Sequence, residues 1–242
     1  MQEPKYFAVC PHDTAAGVER WAMFHAVVAK RVSPGSRYVP YFNFKEFDQA
    51  LRDGKLRWGY LNPAQFLLVR KMFGFVPLAR PVERPDQVVI VQSVASPAAS
   101  LAELAGKRIA AAPGYLFALA KHELALRGIP FSVVQVRGYT EVMRAISQGE
   151  ADAGISYNEH WGALTDYVRE QFAVVDRISP GLSHVVAAHP DVPVETREAL
   201  RQFLLGSHHA EDTARALGKV GMKAFEEFDA KPFDALEGIV GG

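Results

Sequence analysis

The 242 residues predict an α/β protein of two similar lobes, each a mostly parallel sheet with helices on both faces. Three observations carry that expectation. Short apolar stretches of strand length alternate with helix-period segments, which is the pattern of parallel sheets covered by helices. The alternation runs twice, in two halves whose residues match in order. The apolar stretches also end at turns where Pro, Gly or Asn opens the next helix.

The duplication is read from paired stretches. ALRDGKLRWGY at 50–60 aligns with AISQGEADAGI at 145–155, setting Ala50 against Ala145, Leu51 against Ile146, Gly54 against Gly149 and Gly59 against Gly154. FAVCPHD at 7–13 resembles IAAAPGY at 109–115, with Pro11 opposite Pro113.

In the first half, Tyr6–Cys10 reads as a strand and Ala15–Lys30 as a helix with apolar residues at helical spacing. Tyr38–Phe42 follows as a strand, Lys45–Arg52 as a helix and Leu56–Tyr60 as a strand. Pro63–Phe73 is a helix with Asn62 as its N-cap, and Pro63 suits the first helical position, where its missing N–H would be unpaired anyway. The second half repeats the order: strand Arg108–Ala112, helix Leu116–Arg127 closed by Gly128, strand Ser132–Val136, helix Thr140–Ser147, strand Ala151–Ser156 and helix Asn158–Val168. Between the halves, Asp86–Val91 is a strand after the Pro-rich 77–85, and Ser96–Leu104 a capped helix. Phe172–Val175 is one more short strand. Val194 to about Leu236 is mostly helical and is expected to pack back on the first lobe. The boundaries are therefore 1–85 plus 183–242 for lobe 1, with 86–182 as an inserted lobe 2 and two crossings between them.

Composition narrows the partners. Lys+Arg and Asp+Glu balance at 27 each, against nucleic acid or an anionic membrane surface as the main partner. No apolar run approaches the ~18 residues of a membrane span. Met1–Pro4 reads as a trimmed start from which an export signal is missing. A lone cysteine, Cys10, excludes an internal disulfide. No zinc-type ligand spacing occurs, nor the glycines of a dinucleotide or phosphate-binding loop, nor a nucleophile elbow. No metal, cofactor or catalytic residue is expected, and His208-His209 reads as a solvated helical face.

Ligands of such sheets bind beyond the carboxyl ends of the strands, so the strand-to-helix loops hold the candidate residues. Cys10, His12 and Asp13 lie at the first; Asp13 or Thr14 is a natural N-cap, while a thiol beside an imidazole at a helix start is reactive or metal-seeking. Phe44 precedes the second helix, and Tyr60 and Asn62 form the third loop. In the second half the corresponding places hold Gly114 and Tyr115, then Tyr139, then Tyr157, Asn158 and Glu159. The helix starts at Asn62, Gly114 and Asn158 present backbone N–H groups that suit an anion, and the aromatic residues suit an apolar or cationic group.

Four stretches, WGYLNPA at 58–64, SLAELAGKRIA at 100–110, Gly114 to Gly128, and AISQGEADAG at 145–154, resemble in order and spacing the ABC-transporter solute-binding proteins for phosphate, phosphite and phosphonate. The resemblance implies the type 2 periplasmic-binding-protein fold, with a ligand held between the lobes by those loops. It implies an aromatic at Tyr60, another near Phe44, and an acid that Glu159 supplies a residue or two out of place. Two departures stand out. The hydroxyl-rich turn of the family is replaced by Ala111-Ala112-Pro113-Gly114-Tyr115, and the family's histidine position holds Tyr139. The expected function is a monomeric receptor, periplasmic or cell-surface, that captures a small anionic or zwitterionic ligand and delivers it to an ABC permease or reports it to a membrane sensor. An enzyme using Cys10, His12 or Glu159, or a ligand-sensing domain on the same fold, is the alternative.

Overall fold

The computed structural model describes residues 5–95, 98 and 100–240. Its elements run β1 (Lys5–Val9), α1 (Pro11–Arg31), β2 (Ser36–Tyr38), α2 (Phe44–Arg52), β3 (Leu56–Leu61), α3 (Pro63–Phe73), β4 (Val76–Pro81), β5 (Val88–Ser93), β6 (Arg108–Ala111), α4 (Tyr115–Leu126), β7 (Ser132–Gln135), α5 (Tyr139–Ser147), β8 (Ala153–Tyr157), α6 (Asn158–Ala163), α7 (Asp166–Arg169), β9 (Phe172–Ile178), β10 (Val185–Ala188), α8 (Val194–Leu205), α9 (Glu211–Lys219), β11 (Phe225–Glu226) and α10 (Lys231–Val240). The chain divides into two units, 1–84 with 183–233, and 85–182 with 234–242.

The first unit holds a six-stranded sheet in the order β11-β4-β10-β3-β1-β2. Strand β1 pairs in parallel with β2 and β3, whereas β10 runs antiparallel to both β3 and β4. Pro77 cannot donate to a ladder, and the register of β10 against β4 shifts where it sits, between Val186 and Ala187. The core is aromatic. Phe7 stacks on Trp58 at 4.0 Å, with Trp21, Phe24 and Phe225 beside them. Burying each such ring contributes about 1.5–3 kcal/mol.

The second unit holds a five-stranded sheet, β7-β6-β8-β5-β9. Here β6 pairs in parallel with β7 and β8, and β5 runs antiparallel to β8 and β9. Val89, Val91, Val142, Ile146 and Trp161 form its core. The wiring therefore repeats: two parallel strands flank the first, and a late or early antiparallel strand joins the third. The paired glycines have paired reasons. Gly54 and Gly149 take left-handed φ of 64° and 70° at the ends of α2 and α5, where a side chain would be strained. Gly59 and Gly154 lie in β3 and β8, where a Cβ would come within 3.0 Å of the Ala8 carbonyl and 2.4 Å of Val142 respectively.

Several expectations change. The sheets are mixed rather than mostly parallel, because β4, β5, β9, β10 and β11 all enter antiparallel. Strand β4 was hidden by its prolines, and β10 by its brevity. Helix α1 begins at Pro11 with Cys10 as N-cap, so Asp13 sits inside the first turn rather than capping it. The segment 158–168 is two short helices, parted at Leu164, which takes an extended backbone before the Thr165 cap. The helix expected over 96–104 begins outside the described residues; what is described is a short 3-10 turn at Leu101–Leu104. Met1–Pro4 and Gly241-Gly242 also lie outside them. Among the described residues, no helix is long and apolar enough to cross a membrane.

Candidate functional site

Strand geometry gathers the first cluster. Cys10 follows β1, and its amide donates to the Tyr60 carbonyl on β3 at 2.9 Å. Strand β10 runs antiparallel to β3, so His184, just before it, arrives at the same carboxyl end. The result sets Cys10 Sγ 3.2 Å from His12 Nδ1, with Asp13 Oδ2 at 3.3 Å from His12 Nε2 and 3.7 Å from His184 Nε2. Arg84 donates to the other Asp13 oxygen at 3.3 Å. Cys10, Asp13 and His184 are buried, and His12 is the most exposed of the four. Burial pushes the Cys10 thiol up, but the hydrogen bonds and charges of His12 and His184 outweigh it and hold the thiol below its ordinary value.

Two expected residues of this unit take structural roles. Asn62 caps α3, accepting from the Gln65 amide at 2.9 Å while Gln65 Oε1 accepts from the Asn62 amide at 3.1 Å. Its Nδ2 reaches Cys10 Sγ at 3.6 Å. Tyr60 is 1% exposed, its ring stacked on His184 at 5.1 Å and tilted against Trp21 at 5.0 Å. Its ring packs between His184 and Trp21 within the first unit. Phe44 opens α2 and is 47% exposed.

In the second unit the centre is Asp86, 1% exposed, which precedes β5. Tyr115 donates to its Oδ2 at 2.7 Å and Tyr157 to its Oδ1 at 2.9 Å. Burial and then the Asp86 charge push the Tyr115 phenol well above its ordinary value, so it remains a donor. Tyr139 faces Tyr157 at 6.1 Å and His160 at 5.6 Å, and Ser156 Oγ lies 3.2 Å from His160 Nδ1. Burial lowers His160, favouring a neutral ring.

The three helix starts expected to hold an anion differ in how their first turns are occupied. Gly114 caps α4, and no side chain makes a capping hydrogen bond to its first turn. The α3 start is closed by the Asn62–Gln65 pair. Asn158 is inside α6 rather than capping it; it accepts from the Gln87 amide at 2.9 Å and donates to the Pro85 carbonyl at 3.1 Å. Glu159 is half-buried on the same short helix. Sequence reading missed Asp86 and His184. The signal for Asp86 was a carboxylate standing alone between a proline-rich segment and an apolar strand; His184 carried none. A cavity of about 710 Å³ in this unit, lined by Gln92, Glu103, Lys107 and Asp152, lies at the amino ends of β6 and β8, and neither Tyr115 nor Tyr157 lines it.

The model of the ABC transporter, phosphonate, periplasmic substrate-binding protein family matches residues 7–233. The chain belongs to that family. Family members are periplasmic substrate-binding components that take up a small molecule and serve an ABC permease, and this chain is a solute-binding protein of that kind. XAC2383 from Xanthomonas citri, bound to chloride, superposes with a TM-score of 0.78 at 18% identity, covering 99% of this chain and 97% of that one. PhnD1 from Prochlorococcus marinus, in complex with methylphosphonate, gives 0.79 at 14%, covering 98% and 97%. The aliphatic sulphonate binding protein SsuA from Escherichia coli gives 0.67 at 15%, covering 100% and 86%. At such identities these structures show the shared two-lobed fold. No curated protein sequence matches the chain.

Proposed function

We infer that this member of the phosphonate substrate-binding family is a non-catalytic, monomeric receptor for a small zwitterion, one acidic end and one cationic end, and that it does not bind nucleic acid. The observation that carries the reading is the Asp86 centre. A buried carboxylate held by Tyr115 and Tyr157, with Tyr139 beside Tyr157 and His160 beside Tyr139, is poorly suited to bare phosphate and well suited to an ammonium, which aromatic faces attract by ~0.5–2 kcal/mol. The first turn of α4, uncapped by any side chain, offers backbone N–H groups to the acidic end. The hydroxyl-poor turn at 111–114 fits an acid held by amides alone, whether phosphonate, sulfonate or carboxylate.

The test is a thermal-shift panel with an aminoalkylphosphonate, the same alkylphosphonate without its amine, phosphite, an alkylsulfonate and a betaine. A ligand at a hundred times its dissociation constant adds ~2.7 kcal/mol of stability. Ligands carrying both charges should stabilise most, with no product formed on prolonged incubation. Equal or greater stabilisation by phosphite or the amine-free phosphonate overturns the zwitterion; turnover of any bound ligand overturns the receptor.

A further inference from the structure

The geometry points to a mononuclear site for a zinc-type divalent ion in the first unit, with Cys10 Sγ, one nitrogen each of His12 and His184, and an oxygen of Asp13 as its ligands. These four donors lie within 4.8 Å of one another. Around a zinc-like ion, bond lengths of ~2.0–2.3 Å put tetrahedral ligand–ligand edges at about 3.3–3.7 Å. The Asp13–His184 edge is 3.7 Å without any ion, while the 3.2 Å and 3.3 Å contacts of His12 run from its two different nitrogens, of which an ion would take one.

The donor set narrows the metal. A thiolate with two imidazoles and one carboxylate is a borderline-soft combination, suited to zinc, cobalt or copper and not to magnesium or calcium, which take oxygen. One divalent charge neutralises the thiolate and the carboxylate together. Asp13 points the same way from a separate observation. It is 3% exposed, yet its Oδ2 accepts no hydrogen bond among the described residues, while Oδ1 is held by Arg84. A buried carboxylate oxygen aimed at two imidazoles and a thiol is where a cation would sit.

Outer contacts fix the ligands, as metal sites require. Asn62 Nδ2 approaches the sulfur, Arg84 orients the carboxylate, and Tyr60 stacks on the His184 ring. His12 is the entry point: its side chain is 30% exposed, and its ring lies between thiol and carboxylate with a nitrogen toward each. A turn of that ring brings one nitrogen onto a shared ion. Nothing in this site depends on the Asp86 centre, so the zwitterion reading and the metal site stand or fall separately.

The experiment uses the full chain, dialysed against a chelator and titrated with cobalt(II) chloride, then with zinc chloride. One equivalent of cobalt should raise a thiolate-to-cobalt charge-transfer band and visible bands of tetrahedral intensity, and zinc should bleach both. Cys10→Ser should abolish the charge-transfer band. His184→Ala should weaken binding by more than the ~10–100-fold that loss of an outer-shell partner costs. Replacing the exposed pair His208 and His209 with alanine should leave the spectrum unchanged. No charge-transfer band in folded wild-type protein overturns the site. So does cobalt binding of unchanged affinity in His184→Ala. Should Cys10→Ser lose its native circular dichroism, the wild-type spectrum and His184→Ala decide the matter.

Discussion

Tyr157→Phe is the sharpest probe of the Asp86 centre, because it removes one hydroxyl and leaves the ring in place. The lost bond is charge-assisted and buried, 2.9 Å from Tyr157 to Asp86 Oδ1. Such bonds contribute about 1.5–3 kcal/mol. For a chain of this size each kcal/mol moves the melting point by ~2–4 °C, so the variant should melt roughly 3–12 °C lower. Tyr115→Phe removes the 2.7 Å partner on Oδ2 and should cost a similar amount. The two sites share one carboxylate, so their effects should not add. The double variant leaves Asp86 buried with neither hydroxyl, and should lose more than the sum of the singles. Asp86→Asn in that background should recover part of the loss, since an amide carries no charge to bury. Urea denaturation followed by circular dichroism, with the second unit's transition resolved, gives the three energies. If both single variants fall within about 0.5 kcal/mol of wild type and the double is additive, the tyrosines do not hold the carboxylate and the reasoning is refuted.

His25 is buried, stacked on Phe7 and 2.9 Å from Ser36 Oγ, and its pKa is lowered by burial to about 4. Between pH 6.5 and 4 the unfolded chain therefore takes a proton that the folded one refuses, so stability falls by roughly 3 kcal/mol as the pH drops through that window; His25→Gln should flatten this limb, and parallel limbs for the two proteins sink the assignment. Gly154→Ala should destabilise by about 1–3 kcal/mol, since its Cβ meets Val142 at 2.4 Å and Ile146 at 2.9 Å, and Gly59→Ala similarly against the Ala8 carbonyl at 3.0 Å; denaturation midpoints check both, and neutral variants contradict the close approach. Asn62→Ala should cost about 1 kcal/mol through the lost cap of α3, read from the same curves.

How far the chain can be read without coordinates follows from what each residue's role depends on. Gly54 and Gly149, or Asn62 with Pro63, answer to the backbone a few residues away, so they marked the duplication and the α3 start correctly. The strands β4 and β10 were not legible, because Pro77 and Pro81 argue against a strand; Pro77 is admitted by a register shift in β10, about a hundred residues away, and Pro81 pairs with Phe225, farther still. The surroundings of Tyr60 were illegible for another reason. An aromatic at a strand end fits a site or a core equally well, and the packing of Trp21 and His184 on its ring comes from distant parts of the chain. His184 and Asp86 depend wholly on chain reversals, since each meets its partners through an antiparallel strand whose direction no local pattern encodes.

Strand β10 lies between β3 and β4, yet it is made only after the whole of 85–182. As the polypeptide emerges, its first sheet must wait with a gap at its middle, two apolar strand edges unpaired, while an entire second unit is synthesised. The second unit has no such delay, for all five strands of its sheet lie in the continuous stretch 85–182. Birth order and assembly order of the two sheets are therefore inverted: the sheet begun first is finished last. A chain in that half-made state presents the kind of edge that pairs with strangers, and it stays there for as long as translation of some hundred residues takes. Any pathway that must keep this protein unfolded before use has a natural handle in that interval.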